Sequence, residues 1–219
     1  MIKLYQWDVT PLGDEKVYKR YYETLSPARR EKTDRYRFPK DRMLSVGAGV
    51  LLDHGLADYG FREKTMRYGT GENGKPYFID APDIHFNLSH SGTLVVAAFS
   101  DGPIGCDAEM IADARLDVAR RFFHPLEYEA LCSITDPDEQ RTRFCRYWTL
   151  KESYVKLTGR GLTQPFNTFF LRIESENVTA EGVKCRFGEY GGRAGYRVAW
   201  CTSGADASAI SLCMDDILK

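Results

Sequence analysis

The strongest constraint on this fold is the stretch 136–159, which specifies a long helix from both of its ends. Asp136-Pro137-Asp138-Glu139 offers an N-cap, a proline at the first helical position and an acid at the third, close to a capping box. The spacing predicts a helix to about Thr158, with Gly159 just past its end. After Thr168 the period changes, and apolar runs at 169–173, 183–187, 197–201 and 209–214 predict an antiparallel sheet. Two more helices are expected ahead of the long one, at 116–123 and from Pro125.

The first hundred residues show a similar mixture. Residues 1–9 predict a strand. Ser26-Pro27 starts a helix that carries Arg29, Arg30, Lys32, Arg35 and Arg37 to about Phe38, where Pro39 stops it. A second helix is expected at 41–53, ended by Gly55. Its Gly47 and Gly49 each cost up to about 1 kcal/mol against alanine, so another backbone or a ligand is expected close by. A glycine-rich turn at 69–76 presents Lys75 ahead of a short strand at 77–79. The polar run 86–92 precedes an apolar strand at 94–99, and 104–109 reads as the returning strand after Ser100-Asp101-Gly102. Each half therefore holds strands and helices of its own, with the boundary near Pro103: 1–103 and 104–219.

Charge and composition narrow the function. With 43% apolar and 28% charged residues, the chain has the make-up of a soluble globular protein. No run approaches the roughly 18 apolar residues of a membrane span, and the start lacks a signal-peptide core, so a cytoplasmic protein is expected. The six cysteines never approach C-x-x-C spacing and read as small buried hydrophobes in a reducing compartment. A net charge of −1 argues against nucleic acid or an anionic membrane. Residues 16–42, however, hold ten Lys/Arg against four Asp/Glu, a local +6 that leaves −7 for the remainder. Such a division suits a small polyanion.

Four groups of residues carry chemistry. Asp107 and Glu109 lie two apart on an expected strand and leave the same face. Hard oxygens without nearby His or Cys suit Mg²⁺, although two solvated acids are the commoner explanation of such a pair. Trp148, Glu152 and Lys156 fall at i, i+4 and i+8 on one helical stripe, with Lys151 beside it. An exposed ion pair fits that aromatic stripe less well than a partly buried polar site does. His90, with Asn87, Ser89 and Ser91 around it, is a candidate phosphate donor, and the Arg29/Arg30/Lys32 cluster is either a solvated face or a phosphate clamp. No Walker A loop, Rossmann fingerprint, nucleophile elbow or zinc spacing occurs.

In combination and order these pieces resemble the 4′-phosphopantetheinyl transferases of the two-domain Sfp type. Gly105-Cys106-Asp107 and, some forty residues on, Trp148-Thr149-Leu150-Lys151-Glu152-Ser153-Tyr154-Val155-Lys156 meet that family's signature at every fixed position. The resemblance extends to 26–32, Gly74-Lys75-Pro76 and 86–92, and so covers most of the chain up to Leu162. Cys106 stands where a branched aliphatic is usual, and Arg29 where lysine is common.

The resemblance implies an α+β fold of two similar halves related by a pseudo-twofold, with the active site in the cleft between them. It implies transfer of the 4′-phosphopantetheine arm of coenzyme A to a serine of an apo acyl, peptidyl or polyketide carrier protein, with release of adenosine 3′,5′-bisphosphate. Asp107, Glu109 and Glu152 are then the Mg²⁺ ligands. Lys156, Lys151 and His90 contact coenzyme A phosphates, while Arg29, Lys32, Arg42, Lys75 and Ser89 surround the nucleotide. Glu152 is placed to accept the serine proton, directly or through a water held by the metal. A monomer is expected. The competing readings are another Mg²⁺-dependent phosphotransferase acting on a nucleotide-containing small molecule, and a non-catalytic carrier-binding module. A degenerate module would have lost an acid or a lysine, and here Asp107, Glu109, Lys151, Glu152 and Lys156 are all present.

Overall fold

The computed structural model describes every residue except Glu72, 162–163, 176, 191–192, 204–208 and 214–219, and describes 209–213 by backbone alone. Leu162, the limit of the family resemblance, and Met214, the expected end of the last strand, therefore lie outside the described residues, as does Glu72 of the glycine-rich turn.

The first strand, β1 (Ile2–Asp8), is buried on both faces. Three helices follow: α1 (Glu15–Tyr22), α2 (Pro27–Asp34) and α3 (Pro39–Ala57). Ser26 caps α2 as expected, its hydroxyl accepting the Arg29 amide at 3.1 Å. α2 stops at Asp34, short of Phe38, because Pro39 takes the first position of α3 and the connection needs those residues. α3 runs past Gly55, which is buried beneath the Phe99 ring. At Gly47 and Gly49 the close neighbours are side chains, Val9 and Leu25 with Arg29. The hairpin β2 (Tyr68–Thr70) and β3 (Pro76–Phe78) precedes β4 (His85–Ser91) and β5 (Leu94–Ser100). α3 packs on the sheet through Leu51, Leu52 and Leu56 against Tyr5, Trp7 and Phe99.

The remainder comprises β6 (Ile104–Met110), α4 (Leu116–Phe122), α5 (Pro125–Cys132), α6 (Pro137–Thr158), β7 (Phe170–Glu174), β8 (Asn177–Glu181), β9 (Arg186–Tyr190), β10 (Tyr196–Thr202) and β11 (Ala209–Cys213). The long helix has the expected ends. Asp136 accepts the Asp138 amide at 2.8 Å, and Gly159 adopts the left-handed conformation at φ 67° that an L-side chain resists. The architecture is α+β, with two larger sheets ordered β11-β1-β5-β4 and β6-β10-β9 and the hairpins β2-β3 and β7-β8.

Three expectations about strands need correction. β6 does not return along β5; it pairs antiparallel with β10, Asp107 opposite Ala199. The last strand does not join the second sheet but pairs parallel with β1, Ile2 opposite Ala209, so the chain recrosses the boundary placed at Pro103. Residues 86–91 of the segment expected only as a polar run lie within strand β4, and Gly92 is in the turn that follows it. The segment's polar side chains point at β6 because they do what a neighbouring backbone normally does. Asn87 Oδ1 accepts the Cys106 amide at 2.9 Å, Ser89 Oγ that of Ala108 at 3.2 Å, and Ser91 Oγ that of Met110 at 3.1 Å. This side-chain ladder satisfies the β6 edge left free by β10 and joins the two sheets.

Candidate active site

The acids of β6 meet α6 across a contact that only glycine permits. A Cβ on Gly105 would overlap the Ser153 carbonyl oxygen and the Leu157 amide and lie 2.9 Å from Leu157 Cα. With that contact made, the cleft-facing stripe of α6 (Trp148, Glu152 and Lys156, all partly exposed) looks toward β6, while Leu150, Lys151, Ser153, Val155 and Leu157 are buried. Lys156 Nζ donates to Asp107 Oδ1 and to Ser89 Oγ, both at 2.7 Å. Ser89 donates to the same carboxylate oxygen at 2.8 Å, and Asp107 is only 4% exposed. Its second oxygen, Oδ2, is buried and has no hydrogen-bond partner among the described residues. Glu109, two residues on, accepts from Ser91 Oγ at 2.7 Å and is reached by the Trp148 indole.

Electrostatics make this an acidic pocket with too little positive charge. Burial pushes the Asp107 carboxyl up against the opposing pull of Lys156. Burial likewise raises Glu109, with the Ser91 hydrogen bond opposing, and pushes Glu152 up to about 7, helped by the Asp107 charge. Burial disfavours the Lys156 charge, but neighbouring Asp107 more than offsets it and holds the ammonium above its ordinary value. Acids and lysine alike hold their protons tightly, as expected of three carboxylates facing one ammonium in a desolvated site.

The residues fit a divalent cation. Among the described residues no three His, Cys, Asp or Glu side chains already form a group that could hold a metal ion. Mg²⁺ does not require one, since it commonly takes one or two carboxylates and completes its shell with water and phosphate oxygen. Asp107 Oδ2 is a desolvated hard oxygen without a partner among the described residues, unlike most buried polar atoms.

The basic residues separate into those that reach the cleft and those that do not. Arg29, Lys32 and His90 line a pocket of about 200 Å³ with Tyr36, Asp41 and Ser45. Arg29 lies 3.9 Å from buried Glu63, which also accepts from the Ser26 hydroxyl. Burial lowers Lys32, and Arg29 adds to the effect; burial and then Lys156 lower His90. A second pocket, of about 330 Å³, shares Leu88 with the first and is lined by Asn73, Lys75, Glu152 and Lys156. A further pocket, of about 230 Å³, is lined by Glu109, Met110, Asp113, Arg115, Val118, Phe144 and Trp148.

Three expected coenzyme contacts are placed differently. Lys151 is a correction. It is 0% exposed, and its ammonium donates to the Phe166 and Phe169 carbonyls at 2.7 and 3.1 Å and pairs with Glu127 at 3.0 Å. One residue along a helix turns a side chain by about 100°, which carries Lys151 from the cleft face into the core. Lys75 is in the cleft wall, but its ammonium donates to the Ile104 and Leu157 carbonyls, tying the glycine-rich turn to β6 and the end of α6. Burial pushes it down to about 8. Arg42 is exposed, donates to the Tyr36 carbonyl at 2.8 Å and is not among the residues lining the basic pocket. The sequence marks Ser91 only as a neighbour of His90, and does not mark Glu127. Ser91 shares the two-residue period of Ser89, Asp107 and Glu109, a signal that was there to use. Glu127, far from Lys151 in the chain, offered none.

The chain is similar to known proteins of one family. The sequence model of the 4′-phosphopantetheinyl transferase superfamily matches residues 103–201. The 4′-phosphopantetheinyl transferase Sfp of Bacillus subtilis (strain 168) is 34% identical over 202 residues, covering 90% of this chain and 89% of that protein. The 4′-phosphopantetheinyl transferase psf-1 of Bacillus pumilus is 32% identical over 92% of this chain and 90% of its own length. HetI of Nostoc, also a 4′-phosphopantetheinyl transferase, is 36% identical over 64% of this chain and 62% of its own.

Proposed function

This chain belongs to the 4′-phosphopantetheinyl transferase family, and on that premise we propose that it moves the 4′-phosphopantetheine arm of coenzyme A onto a serine of an apo acyl, peptidyl or polyketide carrier protein in a Mg²⁺-dependent reaction. The observation that carries the reading is Asp107, buried, gripped at Oδ1 by Lys156 and Ser89, and without a partner at Oδ2 among the described residues. Asp107, Glu109 and Glu152 would hold the cation. When bound it supplies charge neutralisation and orientation for the pyrophosphate.

The chain's own residues supply the rest. Lys156, kept charged by Asp107, has its ammonium fixed beside the acids and spare donor capacity for a pyrophosphate oxygen. Arg29, Lys32 and His90 form the wall suited to the nucleotide's phosphates, including the one at the 3′ position. The pocket containing Trp148, Phe144 and Met110 suits the pantetheine arm. The carrier serine oxygen attacks the phosphorus that bears the pantetheine oxygen. A serine O–P bond forms, the bridging P–O bond breaks, and adenosine 3′,5′-bisphosphate leaves with the electron pair. Glu152, held at about 7, is the carboxylate placed to take the serine proton, directly or through one water.

In this reading residues 1–103 present the nucleotide wall and the part beginning at 104 presents the acids, the polar ladder of β4 joining them. Every group named lies in one copy of the chain, so a monomer is the working unit. Among the described residues no helix is long and apolar enough to cross a membrane. Incubation with coenzyme A, Mg²⁺ and apo carriers of the acyl and peptidyl types, followed by weighing the carriers, tests the proposal. One phosphopantetheine added to a carrier serine is expected; no adduct on any carrier contradicts it.

A further inference from the structure

The sequence marks Ser91 only as a neighbour of His90, with no role of its own, yet its hydroxyl is hydrogen-bonded to Glu109. Its hydroxyl accepts the Met110 amide at 3.1 Å and donates to Glu109 Oε2 at 2.7 Å. The accepted amide holds the oxygen in place, and its one proton is directed at the carboxylate. Two residues earlier the same pattern occurs, with Ser89 accepting the Ala108 amide and donating to Asp107. Strand period puts both serines on one face of β4 and both acids on one face of β6.

The two serines do unequal work. Asp107 is short, almost wholly buried and also gripped by Lys156. Glu109 has one more rotatable bond, is only partly buried, and is reached by Ser91 and the Trp148 indole. We propose that Ser91 is a positioning residue that holds the Glu109 carboxylate beside Asp107 and so sets the affinity of this acid pair for a divalent cation. The inference rests on the reading of Asp107 and Glu109 as cation ligands. Hydrogen-bond partners of metal ligands commonly change metal affinity by about 10–100-fold when removed.

The test uses Mn²⁺ as the probe, its free concentration read by electron paramagnetic resonance, with the full chain and coenzyme A present. Ser91→Ala is expected to weaken Mn²⁺ binding about tenfold or more, and Ser91→Thr, which keeps the hydroxyl, to bind within about threefold of the wild type. Ser91→Cys keeps the shape but donates weakly; it serves if the alanine variant does not fold and is expected to weaken binding likewise. In transfer assays the Mg²⁺ concentration for half-maximal rate should rise in Ser91→Ala while KM for coenzyme A at saturating Mg²⁺ stays put. A general structural defect would lower the rate without moving the Mg²⁺ requirement. A folded Ser91→Ala or Ser91→Cys protein that binds Mn²⁺ as the wild type does overturns the positioning role. Wild-type affinity in Glu109→Gln would instead overturn the reading of the acids as ligands, so the two failures are told apart.

Discussion

Replacing Lys151 with methionine separates a core role from a coenzyme role for one of the signature lysines. Lys151 and Glu127 are both 0% exposed and pair at 3.0 Å. Glu127 also accepts the Leu171 amide at 2.7 Å and the His124 amide at 2.9 Å. Methionine fills the volume but leaves Glu127 without its cation and the Phe166 and Phe169 carbonyls without their donor. Breaking a buried pair from one side costs about 3–5 kcal/mol. Burial pushes the Glu127 carboxyl up, so it relieves part of that cost by taking a proton, which favours the lower figure, about 3 kcal/mol near neutral pH. With a urea m-value of about 2.5 kcal/mol/M, the unfolding midpoint should fall by about 1.2 M. The loss should grow as pH rises, because the relieving proton becomes scarcer. Adding Glu127→Gln should recover part of the loss. Urea titration followed by tryptophan fluorescence at two pH values is sufficient. A Lys151→Met protein with an unchanged midpoint and abolished transfer would refute the reasoning and return Lys151 to the coenzyme site.

Gly105→Ala forces β6 away from α6 by about 1 Å; overpacking of this kind costs about 1–3 kcal/mol, and displacing Asp107 from Lys156 should lower kcat roughly a hundredfold, both measurable on one preparation. Lys75, held near 8 against an ordinary value near 10.5, takes up its proton less readily folded than unfolded. The penalty of burying its charge is therefore fully present below about pH 8 and is lost as pH rises toward 10.5. Wild type should gain about 1–2 kcal/mol on Lys75→Met between pH 7.5 and 9.5 in urea titrations, and a constant gap would contradict the assignment. Arg29→Ala should raise KM for coenzyme A about tenfold or more and leave KM for 3′-dephospho-coenzyme A nearly unchanged; equal effects on both would remove the 3′-phosphate from this pocket.

The local signals in the chain were reliable where a residue's role depends on its near neighbours. The Ser26 cap, the Asp136 cap, the Gly159 end and the stripe of Trp148, Glu152 and Lys156 all follow from spacing along one helix. Asp107 and Glu109 sharing a face follows from strand period. What could not be read locally depends on pairing between distant segments. β11 pairs with a strand some two hundred residues earlier, and β6 pairs with β10 and not with adjacent β5. β4 was hidden because Asn87, Ser89 and Ser91 are polar side chains turned inward, where an apolar face is the usual mark of a strand. Lys151 misled because it sits next to Glu152 in the signature, while its true partner Glu127 lies on α5.

The central claim, that the buried Asp107 carboxylate helps hold the cation that transfer needs, is tested most directly by the single-turnover rate of Asp107→Asn. Asparagine keeps an oxygen for Ser89 and Lys156, so the variant should stay folded, which a urea titration checks. The account predicts a hundredfold to thousandfold loss in phosphopantetheine transfer to an apo carrier, about 3–4 kcal/mol of transition-state stabilisation. Transfer at the wild-type rate would contradict it.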